Sequence, residues 1–205
     1  TKMKYAITLK PGKELFDKIM LLKKEAFSKV GEQQYLMDEP HSTLYIGEFD
    51  NMVQLEPILE KKAKEFRQHA IKVKEWILFK NDPVTGKDAI ACKVETDDMN
   101  RFKELQKKLA EELNKHRTGV INRFKNIPEG PGGAFKNNVE EYGYPFIGSI
   151  WIPHFSIGSF NHDAFDKIWP LLEKKCPEGI FEIESLNLYS LDEDNDNITL
   201  IKEYK

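Results

Sequence analysis

Two tripeptides of one kind stand at equivalent places in a repeated order of strands and helices. That repeat limits the folds open to the chain more than any other feature. The first copy reads Glu39-Pro40-His41-Ser42-Thr43-Leu44-Tyr45-Ile46-Gly47-Glu48-Phe49, and the second Ile152-Pro153-His154-Phe155-Ser156-Ile157-Gly158-Ser159-Phe160. Both carry Pro-His-x-(Thr/Ser), then an apolar residue, a glycine and a phenylalanine, the last two coming two residues earlier in the second copy. Residues i and i+2 of a strand project to one face, so each copy presents an imidazole beside a hydroxyl. Proline cannot donate to a sheet ladder, so Pro40 and Pro153 put both histidines at strand entrances or edges, where a cleft can reach them.

The periodicity around the copies predicts matching surroundings. Residues 4–9 read as a strand, and Pro11-Gly12 opens a helix with Phe16, Ile19, Met20, Phe27 and Val30 on one face, stopped by Gly31. The His41 strand runs to Phe49. A helix from about Asn51, capped by Asp50 or Asn51, follows with Met52, Leu55, Leu59, Ala63 and Phe66 at helical spacing. Residues 70–80 and 88–96 are rich in Val, Ile and aromatics and flank Asn81-Asp82-Pro83-Val84-Thr85-Gly86, a hairpin pattern. A third helix has Asp97 or Asp98 as cap and buries Phe102, Leu105, Leu109 and Leu113. After His154 come a strand around 150–157, a helix from about His162, and two strand-like runs, 180–191 and 197–204, joined by an acidic turn. The second half thus repeats the strand, helix, hairpin order of residues 40–96. The expected architecture is α+β: two pseudo-symmetric β-α-β-β lobes, about 1–116 and 148–205, with antiparallel sheets lining a central cleft.

Residues 117–147 break the pattern. They hold Pro128, Pro131, Pro145 and five glycines, interleaved with Phe124, Phe135, Tyr142, Tyr144 and Phe146. A long aperiodic segment with that much aromatic surface reads as a functional loop rather than a disordered linker. Tethered beside His154, it is expected to border the cleft, with Arg123, Phe124, Phe135, Tyr142 and Tyr144 touching substrate together with Tyr45 of the first copy. Aromatics near cations suit the stacking of a base and the neutralising of a phosphate.

Charge narrows the partners. With 31 Lys and Arg against 34 Asp and Glu, the formal charge of -3 gives no global pull on a polyanion, so nucleic-acid contact has to be local. Cys92 and Cys176 lack metal or redox spacing and read as free thiols of a reducing compartment. The first residues show no basic stretch before an apolar one, and no run approaches a membrane span, so a cytoplasmic, monomeric protein is expected. His69, His116 and His162 show no zinc spacing. Asp192-x-Asp194-x-Asp196 has Asn197 where a calcium loop needs glycine, and Gly130-Pro131-Gly132-Gly133 lacks the Lys-Ser/Thr ending of a phosphate loop. No metal and no cofactor is expected.

The paired motifs suit phosphodiester chemistry. Cleavage needs a base for the attacking oxygen and an acid for the leaving one, and imidazoles titrate where both roles are open. Hydroxyls of Thr43 and Ser156 can donate to the non-bridging phosphate oxygens as charge builds on them. Which histidine is acid is not legible at this level.

On His41-x-Thr43 and His154-x-Ser156, more than a hundred residues apart in β-α-β surroundings, the chain resembles the 2H phosphoesterase superfamily, which includes LigT-like 2′-5′ RNA ligases and cyclic phosphodiesterases. Ser156 stands where Thr is commoner. The resemblance implies a two-lobed fold around a sheet-lined cleft, with His41 and His154 catalytic and Thr43 and Ser156 binding the phosphate. The expected activity is metal-independent hydrolysis of a nucleotide or RNA-end phosphodiester, such as a 2′,3′-cyclic phosphate, a 2′-5′ linkage or a cyclic oligonucleotide. The alternatives are 2′-5′ ligation or transesterification by the same histidines, and a non-catalytic nucleotide- or RNA-binding module.

Overall fold

A computed structural model describes residues 2–205; Thr1, first residue of the expected lobe one, lies outside them. The strands are β1 (Met3–Pro11), β2 (Ser42–Phe49), β3 (Ile71–Phe79), β4 (Asp88–Glu95), β5 (Arg117–Gly119), β6 (His154–Phe160), β7 (Gly179–Phe181), β8 (Ile183–Asp192) and β9 (Asn197–Tyr204). The helices are α1 (Lys13–Val30), α2 (Glu56–Phe66), α3 (Met99–Asn114), α4 (Ala134–Tyr142) and α5 (His162–Leu172). Expected helices and strands thus recur close to their predicted positions. Asp98 caps α3 by accepting from the Arg101 amide, and Asn161 caps α5 by accepting from Ala164. The second helix starts later than predicted, at Glu56, because Asn51 spends its side chain on a local turn to the Val53 amide.

Two antiparallel sheets form, ordered β5-β2-β1-β8-β9 and β6-β4-β3-β7. The chain therefore does not divide into the expected lobes 1–116 and 148–205. Each sheet takes strands from both halves: β8 and β9 complete the first beside β1, while β3 and β4 sit between β6 and β7 in the second. Pairing does not follow chain order, and the predicted single strand 180–191 splits at Glu182 so that β7 forms an edge of one sheet while β8 lies between β1 and β9 in the other. The buried side chains of both sheets join in one continuous core. Helix α1 packs beside α5, and α2 beside α3.

Residues 117–147 are more ordered than predicted, with β5, short 3-10 turns at Asn122–Phe124 and Pro131–Gly133, and α4. Gly130 holds a φ of 77°, and a β-carbon there would collide with the Phe135 ring, so this bend requires glycine. No helix among the described residues is long and apolar enough to cross a membrane.

Candidate active site

The two histidine motifs lie on different sheets, His41 immediately before β2 and His154 at the start of β6. Both imidazoles, with Thr43 and Ser156, line one cavity of about 370 Å³. The local geometry of the motifs is duplicated in detail. His41 Nδ1 lies 2.8 Å from the Glu39 carbonyl, and His154 Nδ1 lies 2.6 Å from that of Ile152. A carbonyl only accepts, so in each ring Nδ1 carries a proton and Nε2 is left for chemistry. Each ring also has an aromatic neighbour two strands away: Tyr189 of β8 at 6.0 Å from His41, and Phe79 of β3 at 4.8 Å from His154.

A β-bulge follows each hydroxyl. Thr8 of β1 faces Thr43 and Ile7 faces Tyr45, which leaves Leu44 as the extra residue. Ala91 of β4 faces Ser156 and Ile90 faces Gly158, which leaves Ile157 as the extra residue. The bulges re-aim the strands just past the hydroxyls, and Thr43 and Ile46, three apart, both reach the cavity. A buried helix side chain donates to each bulged carbonyl: Gln106 Nε2 of α3 to Leu44 at 2.9 Å, and Lys23 Nζ of α1 to Ile157 at 3.0 Å.

Electrostatics distinguish the two histidines. Burial pushes His41 down to about 4, aided by the positive charge of Lys23 and that of His154 and opposed by the Glu39 carbonyl. Burial also lowers His154, but there the Ile152 carbonyl and the negative charge of Asp82 pull upward. Asp82 stands in the β3–β4 turn, where its carboxylate accepts from the Val84 and Thr85 amides. Residues Asp82 to Thr85 form part of the cavity wall.

Of the expected substrate-contacting residues, Arg123, Phe124, Phe135 and Tyr144 line the cavity. Tyr45 and Tyr142 do not. Tyr45 is fully buried and donates its hydroxyl to the Tyr142 carbonyl, and Tyr142 packs inside as well. The first bulge turns Tyr45 toward the core, away from Thr43. Arg123 is less free than its sequence position implies, because it pairs with Asp196 at 2.7 Å across the acidic β8–β9 turn. The loop aromatics form a chain of tilted and edge contacts, Tyr45 to Tyr144, Tyr144 to Phe124 and Phe146, Phe146 to Phe135. Phe124 and Tyr144 are nearly buried, whereas Phe135 and Phe146 keep part of their surface open.

Lys23, Tyr35, Asp38, Phe79, Asp82, Phe146, Trp151 and Asp196 also line the cavity without having been singled out as contacts. Lys23 and Trp151 read as ordinary members of helix and strand patterns, so nothing local set them apart. Among the described residues no group of three or more His, Cys, Asp or Glu is arranged to hold a metal ion. Neither a comparison with protein-family models nor one with curated proteins finds a match for this chain.

Proposed function

We propose that the chain is a phosphodiesterase of the 2H type that cleaves a nucleotide or RNA-end phosphodiester by two-histidine acid-base catalysis, without a metal. The observation that carries this reading is the convergence of His41 and His154 on one cavity, each with Nδ1 committed to a backbone carbonyl and Nε2 left over. Such a pair supplies the two proton transfers the reaction needs.

The neighbours favour His41 as base and His154 as acid. Burial, aided by Lys23, holds the first neutral, whereas the second, also lowered by burial, has Asp82 favouring its charged form. In the hydrolytic step His41 Nε2 takes a proton from water as its oxygen bonds to phosphorus. The bond from phosphorus to the leaving sugar oxygen breaks, and His154 Nε2 gives that oxygen its proton. Hydroxyls of Thr43 and Ser156 donate to the non-bridging oxygens of the five-coordinate transition state. Phe135 and Phe146, each with an open ring surface, are the platforms for a base. A cavity of about 370 Å³ matches one nucleotide rather than a long strand, toward the small end of the usual ligand-pocket range.

The test is turnover of 2′,3′-cyclic nucleotides and 2′-5′ dinucleotides in the presence of chelator, by wild type, His41→Ala and His154→Ala. Each substitution is expected to reduce kcat by roughly 10²- to 10⁴-fold. Activity abolished by the chelator and restored by a divalent ion would refute the metal-free mechanism. Saturable nucleotide binding with no product from any substrate favours the binding-module alternative instead.

A further inference from the structure

Lys23 is the one buried cation in this cavity that lacks an ion-pair partner among the described residues. Its side chain is 3% exposed, yet the ammonium donates only to neutral carbonyls, those of Tyr35 at 2.8 Å and Ile157 at 3.0 Å. Among the described residues no carboxylate forms an ion pair with it within 4.0 Å, and Asp38 acts only through longer-range attraction. Arg123, the other cation of the wall, is already neutralised by Asp196. Burying an uncompensated charge costs several kcal/mol, so such a group is retained where an anion arrives to pair with it.

The structural role of Lys23 does not need its charge. In the other half of the molecule a neutral amide, Gln106, caps the equivalent bulged carbonyl from a helix. The chain also accepts backbone strain around the ammonium. Tyr35 holds a φ of 66°, a left-handed conformation unfavourable for a residue with a β-carbon, and its carbonyl takes one of the Lys23 hydrogen bonds.

We infer that Lys23 is the anion-recognition residue of this site: its buried ammonium, bonded to the Ile157 carbonyl next to Ser156 and lining the same cavity as His41, is neutralised by the phosphate of the ligand. The inference rests on the phosphodiesterase reading in taking that phosphate to be the substrate's. It restricts the substrate to small species with one phosphate group at the reacting centre, since no second uncompensated cation lines the cavity to hold another.

Two measurements test it, with inorganic phosphate, adenosine 2′-monophosphate and, as an uncharged control, adenosine as probes. In the first, the Lys23 side-chain carbon next to nitrogen is followed by NMR across pH in wild-type protein. Burial brings the ammonium down to about 8, against the attraction of Asp38 and of Cys92 in its ionised form, and its charge acts in turn on His41. Phosphate or the nucleotide should raise that midpoint, and adenosine should not. In the second, Lys23→Gln keeps a donor for the bulge and removes the charge. Its melting temperature should stay near wild type, while affinity for both phosphate-bearing probes should fall by about 10- to 150-fold and that for adenosine should not change. An unmoved Lys23 midpoint in saturating phosphate, or equal phosphate affinity in a folded Lys23→Gln, would overturn the inference and leave the lysine as a bulge cap. Lys23-dependent phosphate binding in a protein that turns over no phosphodiester would overturn the proposed reaction and leave this inference standing.

Discussion

Gln106 offers the sharpest test of how the site is held. It lies on α3, fully buried, with Nε2 donating to the Leu44 carbonyl at 2.9 Å and the Phe146 carbonyl at 2.8 Å, while Oε1 accepts from the Gly148 amide at 2.8 Å. Two acceptors beside one end and one donor beside the other define the amide's orientation. One side chain thus ties the bulge after Thr43, a cavity-wall phenylalanine and the turn before Trp151. Gln106→Leu keeps nearly the same volume, so no cavity term arises, but it strips the amide from three backbone groups. A buried group left unpaired costs about 1–3 kcal/mol. Counting only Leu44 and Gly148, whose bonds are fully buried, the expected loss is about 2–6 kcal/mol. Against a total stability of about 5–15 kcal/mol, that is a large fraction. For a chain of this length 1 kcal/mol moves Tm by roughly 2–4 °C, so Tm should drop by about 4–24 °C. Urea titration monitored by Trp fluorescence measures the loss directly, with an unchanged slope showing that two-state unfolding is retained. A loss below about 1 kcal/mol would refute the reasoning, because the three groups would then have found water or other partners at little cost.

Other outcomes follow from the same geometry. With His41 neutral down to about 4 as base, and His154 below the ordinary 6.5 as acid, kcat/KM should fall as pH drops through about 4 and again as pH rises through the His154 value. The optimum of the free enzyme therefore lies on the acidic side of neutrality, and a pH profile with both limbs above 7 would contradict this assignment. The same shifts make folding weaker in acid. Unfolded imidazoles take protons below about 6.5, whereas His41 refuses one until about 4, so stability present above 6.5 is lost as pH falls through that interval, as urea titrations across pH would register. Tyr45→Phe, which deletes a core hydrogen bond, should lower stability by about 0.5–1.5 kcal/mol and leave KM alone. Phe135→Ala, by contrast, should raise KM about 5- to 150-fold if the ring stacks a base; the reverse pattern in the two variants would refute the division between core and cavity aromatics.

The amino-acid sequence determined the local elements and the paired histidine-hydroxyl motifs. Helix stripes such as Phe102, Leu105, Leu109 and Leu113 are legible because a helix buries one face, and Asp98 is legible as a cap because free amides need acceptors. His41 with Thr43 and His154 with Ser156 were legible because strand alternation is a local rule and the pattern occurs twice. What lay beyond local rules was decided by packing. No periodicity states which strand edge pairs with which, so the exchange of strands between the two sheets, and the split of β7 from β8, came only with the tertiary structure. A bulge inserts one residue without a clear sequence mark, and the bulge at Leu44 is what sends Tyr45 into the core and Ile46 to the cavity. Lys23 sits on a helix whose other lysines are solvated, and only the approach of α1 to the β6 edge turns that one ammonium inward. Charge and burial of a single side chain depend on neighbours distant in the chain, which is why the sequence alone could point to the two histidines but not to the cation beside them.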